Sequence, residues 1–142
     1  MKIGEKFQNS RDTITKYLKQ GVSPAGIASA VATGTFIAFI PMIGVHTVLA
    51  FIIAWLFRLN PLIVLLGTQI SNPITLPFQI LLSAQAGYLI MHGGLMKFRL
   101  SSDINWKETF IMPVIVGSFF LGLLSAVSSY IGIYTFLKRK GH

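Results

Sequence analysis

The sequence predicts an all-α, polytopic integral membrane protein with broken or re-entrant helical hairpins and an N-terminal interfacial amphipathic helix. Three observations carry that fold class. Hydrophobic residues make up 53% of the 142-residue chain and charged residues 11%, against roughly 25% charged in soluble domains. The charges are also segregated, with no Asp, Glu, Lys or Arg from Gln20 to Phe57, from Leu59 to Met96, or from Thr109 to Leu137. A membrane-crossing helix needs about 20 mostly apolar residues, so each block exceeds one span. Finally, the first two blocks are interrupted, one at Pro41 and the other at Asn72, Pro73 and Pro77, which an unbroken crossing helix would not carry.

The chain divides into residues 1–20, outside the apolar blocks, and a membrane domain, 21–142, with apolar units at about 22–57, 61–95 and 109–137. In the first part Ile3, Phe7, Ile14 and Leu18 fall within a narrow helical arc. Lys2, Lys6, Lys16 and Lys19 spread over the remainder. That pattern fits a helix lying on a bilayer, its basic face toward anionic headgroups. The segment is too polar for a secretory leader.

Gln20-Gly21-Val22 breaks this helix and Ser23-Pro24 starts the next, because serine is a favoured cap and proline suits the first helical position. A helix is expected from Ala25 to Phe39. Pro41 to Gly44 interrupts, and a second piece follows from about Val45 to Phe57. Each piece falls short of a full span, so the pair forms either a tight hairpin or a loop that re-enters on one face. Asn60-Pro61 repeats the cap-proline signal. Gly67 to Pro77 is the most polar stretch inside an apolar block, and Asn72-Pro73 is expected to start a helix running to about Met91. Gly34-Thr35-x-Ile37 with Pro41 and His46 is echoed 33 residues later by Gly67-Thr68-x-Ile70 with Pro73 and Gln79. Repeated broken segments of this kind point to a transporter-type site. Asp103 is expected to cap a short helix carrying Trp106, an interfacial anchor. Thr109 to Leu137 is one tilted span, with Gly122, Ser125, Ala126, Ser129 and Gly132 forming a small-residue packing stripe.

Charge and composition exclude several function classes. The chain has no cysteine, so disulfides and thiolate chemistry are out. Its net charge of +8 sits at the ends of hydrophobic blocks with no nucleic-acid-binding motif, which fits membrane flanking rather than nucleic acid. By the positive-inside tendency both termini face the cytoplasm. The acidic residues Glu5, Asp12, Asp103 and Glu108 all lie outside the apolar blocks, leaving no carboxylate pair for acid–base work and none for proton or sodium coupling within a membrane. His46, His92 and His142 lack metal-ligand spacing. No catalytic residues, metal site or cofactor are expected, and the chain is not read as an enzyme.

What remains suits an anion. Arg58 stands alone at an apolar boundary, His46 lies within the first block, and the cap-proline sites would aim helix N-termini at a ligand. The candidate binding residues are Arg58, Asn60, Asn72, Thr75, His46, Gln69 and Gln79, with Ser71 and Gln85 as further neutral donors. Pro41, Gly44, Pro61, Gly67, Pro73 and Pro77 are the candidate helix breakers. Each has a plainer reading: Arg58 snorkels to headgroups, His46 is a bonded core histidine, Asn72 is only a cap, and Gln69, Thr75 and Gln79 satisfy broken backbone.

The pieces Pro41-x-x-Gly44-x-His46, Arg58-x-Asn60 and Gly67-Thr68-x-x-x-Asn72-Pro73-x-Thr75-x-x-Phe78, continuing to Gly87, resemble the bacterial domain-of-unknown-function 2062 family of small integral membrane proteins. The likeness covers roughly residues 22–95. The family often carries glutamine where this chain has His46, which favours a neutral hydrogen-bonding role there. Its activity is not settled. Some members look fused to glycosyltransferase domains that use polyprenyl-phosphate sugars, and by that resemblance the polar centre handles a phosphorylated lipid in the bacterial inner membrane.

The leading expectation is therefore translocation of an anionic lipid headgroup, such as a polyprenyl phosphate, or of a small anion, by a homo-oligomer in contact with the lipid bilayer. The alternatives are a non-transporting scaffold or accessory subunit for a partner enzyme such as a glycosyltransferase, and a selective channel.

Overall fold

A computed structural model describes residues 23–42, 44–97, 103 and 105–141, and all of its regular elements there are helical. The expected amphipathic helix at 1–20 lies outside the described residues. Ser23 caps α1 (Pro24–Ala38), its Oγ accepting the Gly26 N–H at 3.0 Å, with Pro24 in the first turn. Inside this apolar helix the hydroxyls of Thr33 and Thr35 donate back to the carbonyls of Ser29 and Val31, both at 2.8 Å. α2 (His46–Leu56) follows the break at Pro41, and Gly44 turns it with a φ of 83°. Asn60 caps α3 (Pro61–Thr68), again with proline in the first turn. α4 (Leu76–His92) ends on Gly93 at a φ of 70°, the left-handed closure glycine adopts most readily. A π-helical turn, Lys107–Ile111, leads into α5 (Met112–Lys140).

Two expectations about helix starts are corrected. The Asn72 side chain caps nothing among the described residues, and α4 begins at Leu76. The Asn72 carbonyl does accept the Leu76 N–H at 2.8 Å, but Pro77 has no N–H to continue the ladder, so the regular helix starts late. Trp106 does not ride on a separate helix capped by Asp103. It stands at the head of the π turn, where the Asn105 carbonyl accepts from Glu108 and Thr109.

α1 runs antiparallel to α5. Phe36 meets Phe119 edge-on at 5.7 Å between centroids and lies against Gly122. Farther along the chain, Ala38 and Phe39 line a crevice together with Ser118, and Ile40, Pro41 and Met42 line a groove together with Phe110, Ile111 and Val114. α4 is antiparallel to α5 as well, with Ser83 against Gly117 and Gly87 against Pro113. The C-terminus of α1 and the N-terminal half of α4 therefore both pack on α5 near Ser118, on either side of a small crevice that they line together. α2 folds back along α1, and the short 57–60 turn folds α3 back along α2. Ala30, Ile37, Ala50, Ala54, Ile63 and Val64 form the core of this α1–α3 unit, while Ala84, Met96 and Val114 form a second core between α4 and α5.

The helix counted from Lys107 to Lys140, 34 residues, is long and apolar enough to cross a membrane. α1 and α2 are apolar but have 15 and 11 residues. The small-residue stripe on α5 is divided: Gly122 is buried against α1, Ser125, Ala126 and Ser129 are half-buried, and Gly132 is exposed.

Candidate functional site

The turn between α2 and α3 is built as a helix C-cap. The Leu59 N–H reaches back to the Ala54 carbonyl at 2.8 Å and the Arg58 N–H to the Trp55 carbonyl at 3.3 Å. This pair of bonds defines a Schellman closure, in which the residue after the cap is left-handed and is usually glycine. Here it is Arg58, at a φ of 54°, the one non-glycine residue with positive φ among those described. Left-handed backbone costs a residue with a Cβ about 1–2 kcal/mol, so arginine is held at a position that glycine would occupy more cheaply. Leu59 secures the closure by packing on the α1–α3 core.

Arg58 sits at the edge of an open groove of about 680 Å³ lined by Phe51, Ala54, Trp55, Leu56, Leu59 and Pro61. Except for the arginine, the walls are apolar. Trp55, in the last turn of α2 and lining the same groove as Arg58, is 82% exposed, the most exposed of the large hydrophobic residues described. Asn60 adjoins the groove. Its Oδ1 accepts the Leu62 N–H at 3.0 Å, which leaves the side-chain NH2 available as a donor. The site thus offers one cation, one amide donor and an aromatic plane beside an apolar trough.

The other candidate residues lie elsewhere. His46 opens α2, which is about 16 Å long, and Arg58 follows the far end of that helix. Asn60 and Gln69 are likewise separated by α3, about 12 Å long. The Nε2–H of His46 donates to the Ile40 carbonyl at 2.8 Å and ties the α1–α2 break shut. Ser71 donates to Gln79 Oε1 at 2.9 Å. Thr75 Oγ1 accepts the Asn72 N–H at 2.8 Å and lies 3.0 and 3.1 Å from the carbonyls of Ile70 and Asn72, to either of which it can donate. Gln69 ends α3 through its backbone N–H, bonded to Leu66, and Gln85 Oε1 accepts the Met96 N–H at 2.9 Å. Hence Arg58 and Asn60 share one end of the α2–α3 hairpin, while His46, Gln69, Asn72, Thr75 and Gln79 gather at the breaks, where most are engaged by neighbouring backbone. Trp55 was not among the residues the sequence singled out. The available signal was an aromatic residue just before the lone charge of the apolar block.

A protein-family model described as "Uncharacterized protein conserved in bacteria (DUF2062)" matches residues 9–142, and the chain belongs to that family. No curated protein and no solved structure matches it.

Proposed function

We propose that this DUF2062 protein is a multi-pass protein of the bacterial cytoplasmic membrane that takes an anionic lipid headgroup, such as a polyprenyl phosphate, or a small anion at Arg58 and translocates it. The observation that carries the reading is Arg58 itself. It is the single charged residue between Gln20 and Met96, held in a costly left-handed conformation at the rim of an apolar groove. A lipid with an anionic head and apolar tails complements that arrangement: charge on the guanidinium, amide donation from Asn60, and hydrocarbon along Phe51, Trp55 and Leu59.

Membrane embedding is supported by the outer surface. Trp55, Leu66, Ile74, Phe78, Phe119 and Ile131 are all well exposed, on different helices and turns, and apolar cover this widespread is unusual on soluble monomers. Placed in a bilayer, α5 crosses fully. α3 and α4 cross as one broken span, while α1 and α2 re-enter from the face that carries Lys138, Arg139 and Lys140. Arg58 then lies on that same face. The positive-inside tendency makes it cytoplasmic, along with both ends of the domain.

The test is reconstitution of the full chain into liposomes containing a fluorescent phosphorylated lipid, with a membrane-impermeant quencher added outside. Wild-type protein is expected to expose the inner-leaflet pool to the quencher and Arg58→Gly to leave it protected. Equal quenching in both would refute the assignment.

A second reading, a scaffold or accessory subunit for a partner enzyme, is favoured by the distal half of α5. No residue after Gly122 is buried there, and a Cβ at Gly132 would meet nothing. Under it, substitutions along Ser125, Ser129 and Gly132 do more harm than those at Arg58.

A further inference from the structure

Between the C-terminal end of α1, the N-terminal half of α4 and α5 lies a small crevice bounded by Ala38, Phe39, Leu76, Gln79, Ser83 and Ser118. Its free volume for water centres is about 10 Å³, close to the least that holds one water molecule. Ser83 is 1% exposed and Ser118 6%. A buried hydroxyl on a helix ordinarily donates to the carbonyl four residues back, as the buried Thr35 does to Val31. Among the described residues neither Ser83 nor Ser118 makes that bond or any other side-chain hydrogen bond. No fully sealed side-chain polar atom there lacks a partner, so each of these hydroxyls keeps a little accessible surface, and the crevice is a space that both residues line.

We infer that this crevice binds one buried water, bridging Ser83 of α4 and Ser118 of α5. Gln79 completes the shell. Its Oε1 already accepts from Ser71, so its amide NH2 is the group left to donate. The water accepts from Gln79 and exchanges hydrogen bonds with the two hydroxyls. That gives three partners, the usual number for a buried water, and removes the cost of leaving buried hydroxyls unpaired.

Ile40, Pro41 and Ile80 border both the crevice and a larger apolar groove of about 510 Å³, lined also by Met42, Phe110 and Ile111. The inference rests on packing alone and stands whether or not Arg58 binds an anion.

Water-edited solid-state NMR of the full chain in liposomes, with 13C-labelled serine, tests it. Ser83→Ala and Ser118→Ala difference spectra assign the two signals, and Ser118→Cys substitutes should the alanine variant fail to fold. Magnetisation is expected to pass from water to the Cβ of Ser83 and Ser118, and to fall at Ser83 when Ser118 is replaced. Exposed Ser23 serves as the positive control. Transfer to Ser23 but to neither buried serine would overturn the site, as would transfer to Ser83 that is indifferent to Ser118.

Discussion

Gly34 of α1 and Gly67 of α3 face each other reciprocally. A Cβ on Gly34 would run into the Val64 carbonyl and the Gly67 Cα, and a Cβ on Gly67 would lie 2.8 Å from the Val31 carbonyl and 2.9 Å from the Gly34 Cα. Val31 and Val64 each stand three residues before their glycine, so the close approach is reciprocal at the two glycines of the sequence echo. A second crossing repeats the device between α4 and α5, with Gly87 against the Pro113 carbonyl and Gly117 against that of Ser83.

Because backbone rather than a flexible side chain meets these missing Cβ atoms, Gly34→Ala and Gly87→Ala should each destabilise the protein by ~2 kcal/mol, within the range of overpacking. Gly132→Ala, with open space around it, should be neutral or gain up to about 1 kcal/mol from helix propensity. Thermal unfolding in detergent, followed by circular dichroism, distinguishes the three. Equal midpoints for Gly34→Ala and Gly132→Ala would contradict the close crossing.

At Arg58 stability and binding should part company. Arg58→Gly relieves the left-handed backbone and should raise stability by about 1 kcal/mol, while binding of anionic lipid is lost. Arg58→Lys should keep a measurable part of the binding. Parallel melting curves and lipid-binding measurements check this, and a glycine variant that melts lower would deny the strain.

Asn60 separates capping from ligand contact. Aspartate caps as well as asparagine, so Asn60→Asp should leave the melting temperature unchanged while weakening anion binding by placing a carboxylate beside Arg58. Asn60→Ala should cost about 1 kcal/mol in stability through the lost cap. A fluorescent anionic-lipid titration beside the melts reads both effects.

The turn before α4 reverses the expectation for its most prominent residue. Asn72→Ala should barely change stability, because that side chain caps nothing, whereas Thr75→Val should cost about 1–2 kcal/mol by leaving the Asn72 N–H without its acceptor. Comparable losses in both, measured by thermal unfolding, would restore Asn72 as the cap.

Local signals in the sequence were legible because their partners lie within a few residues. Ser23-Pro24 and Asn60-Pro61 start helices where cap chemistry places them, with Oγ and Oδ1 bonded to backbone two or three residues on. At Asn72 the same dipeptide misleads, because Pro77, five residues later, removes the N–H that would have continued the helix. The pairing of Arg58 with Asn60 was visible from adjacency. Their separation from His46, Thr75 and Gln79 was not, because it depends on α2 and α3 folding back on one another. The Gly87–Gly117 crossing leaves no local pattern either, since 29 residues separate the two glycines, and the Ser83–Ser118 crevice exists only once α1 and α4 have both packed on α5.

Native mass spectrometry of the full chain released from mild detergent, after extraction from membranes containing phosphorylated polyprenyl and other anionic lipids, tests the Arg58 site most directly. The expected result is an anionic lipid retained at fixed stoichiometry by the wild type and lost in Arg58→Gly, with neutral lipids unaffected. Equal retention of anionic lipid by both proteins would contradict a headgroup seat at Arg58.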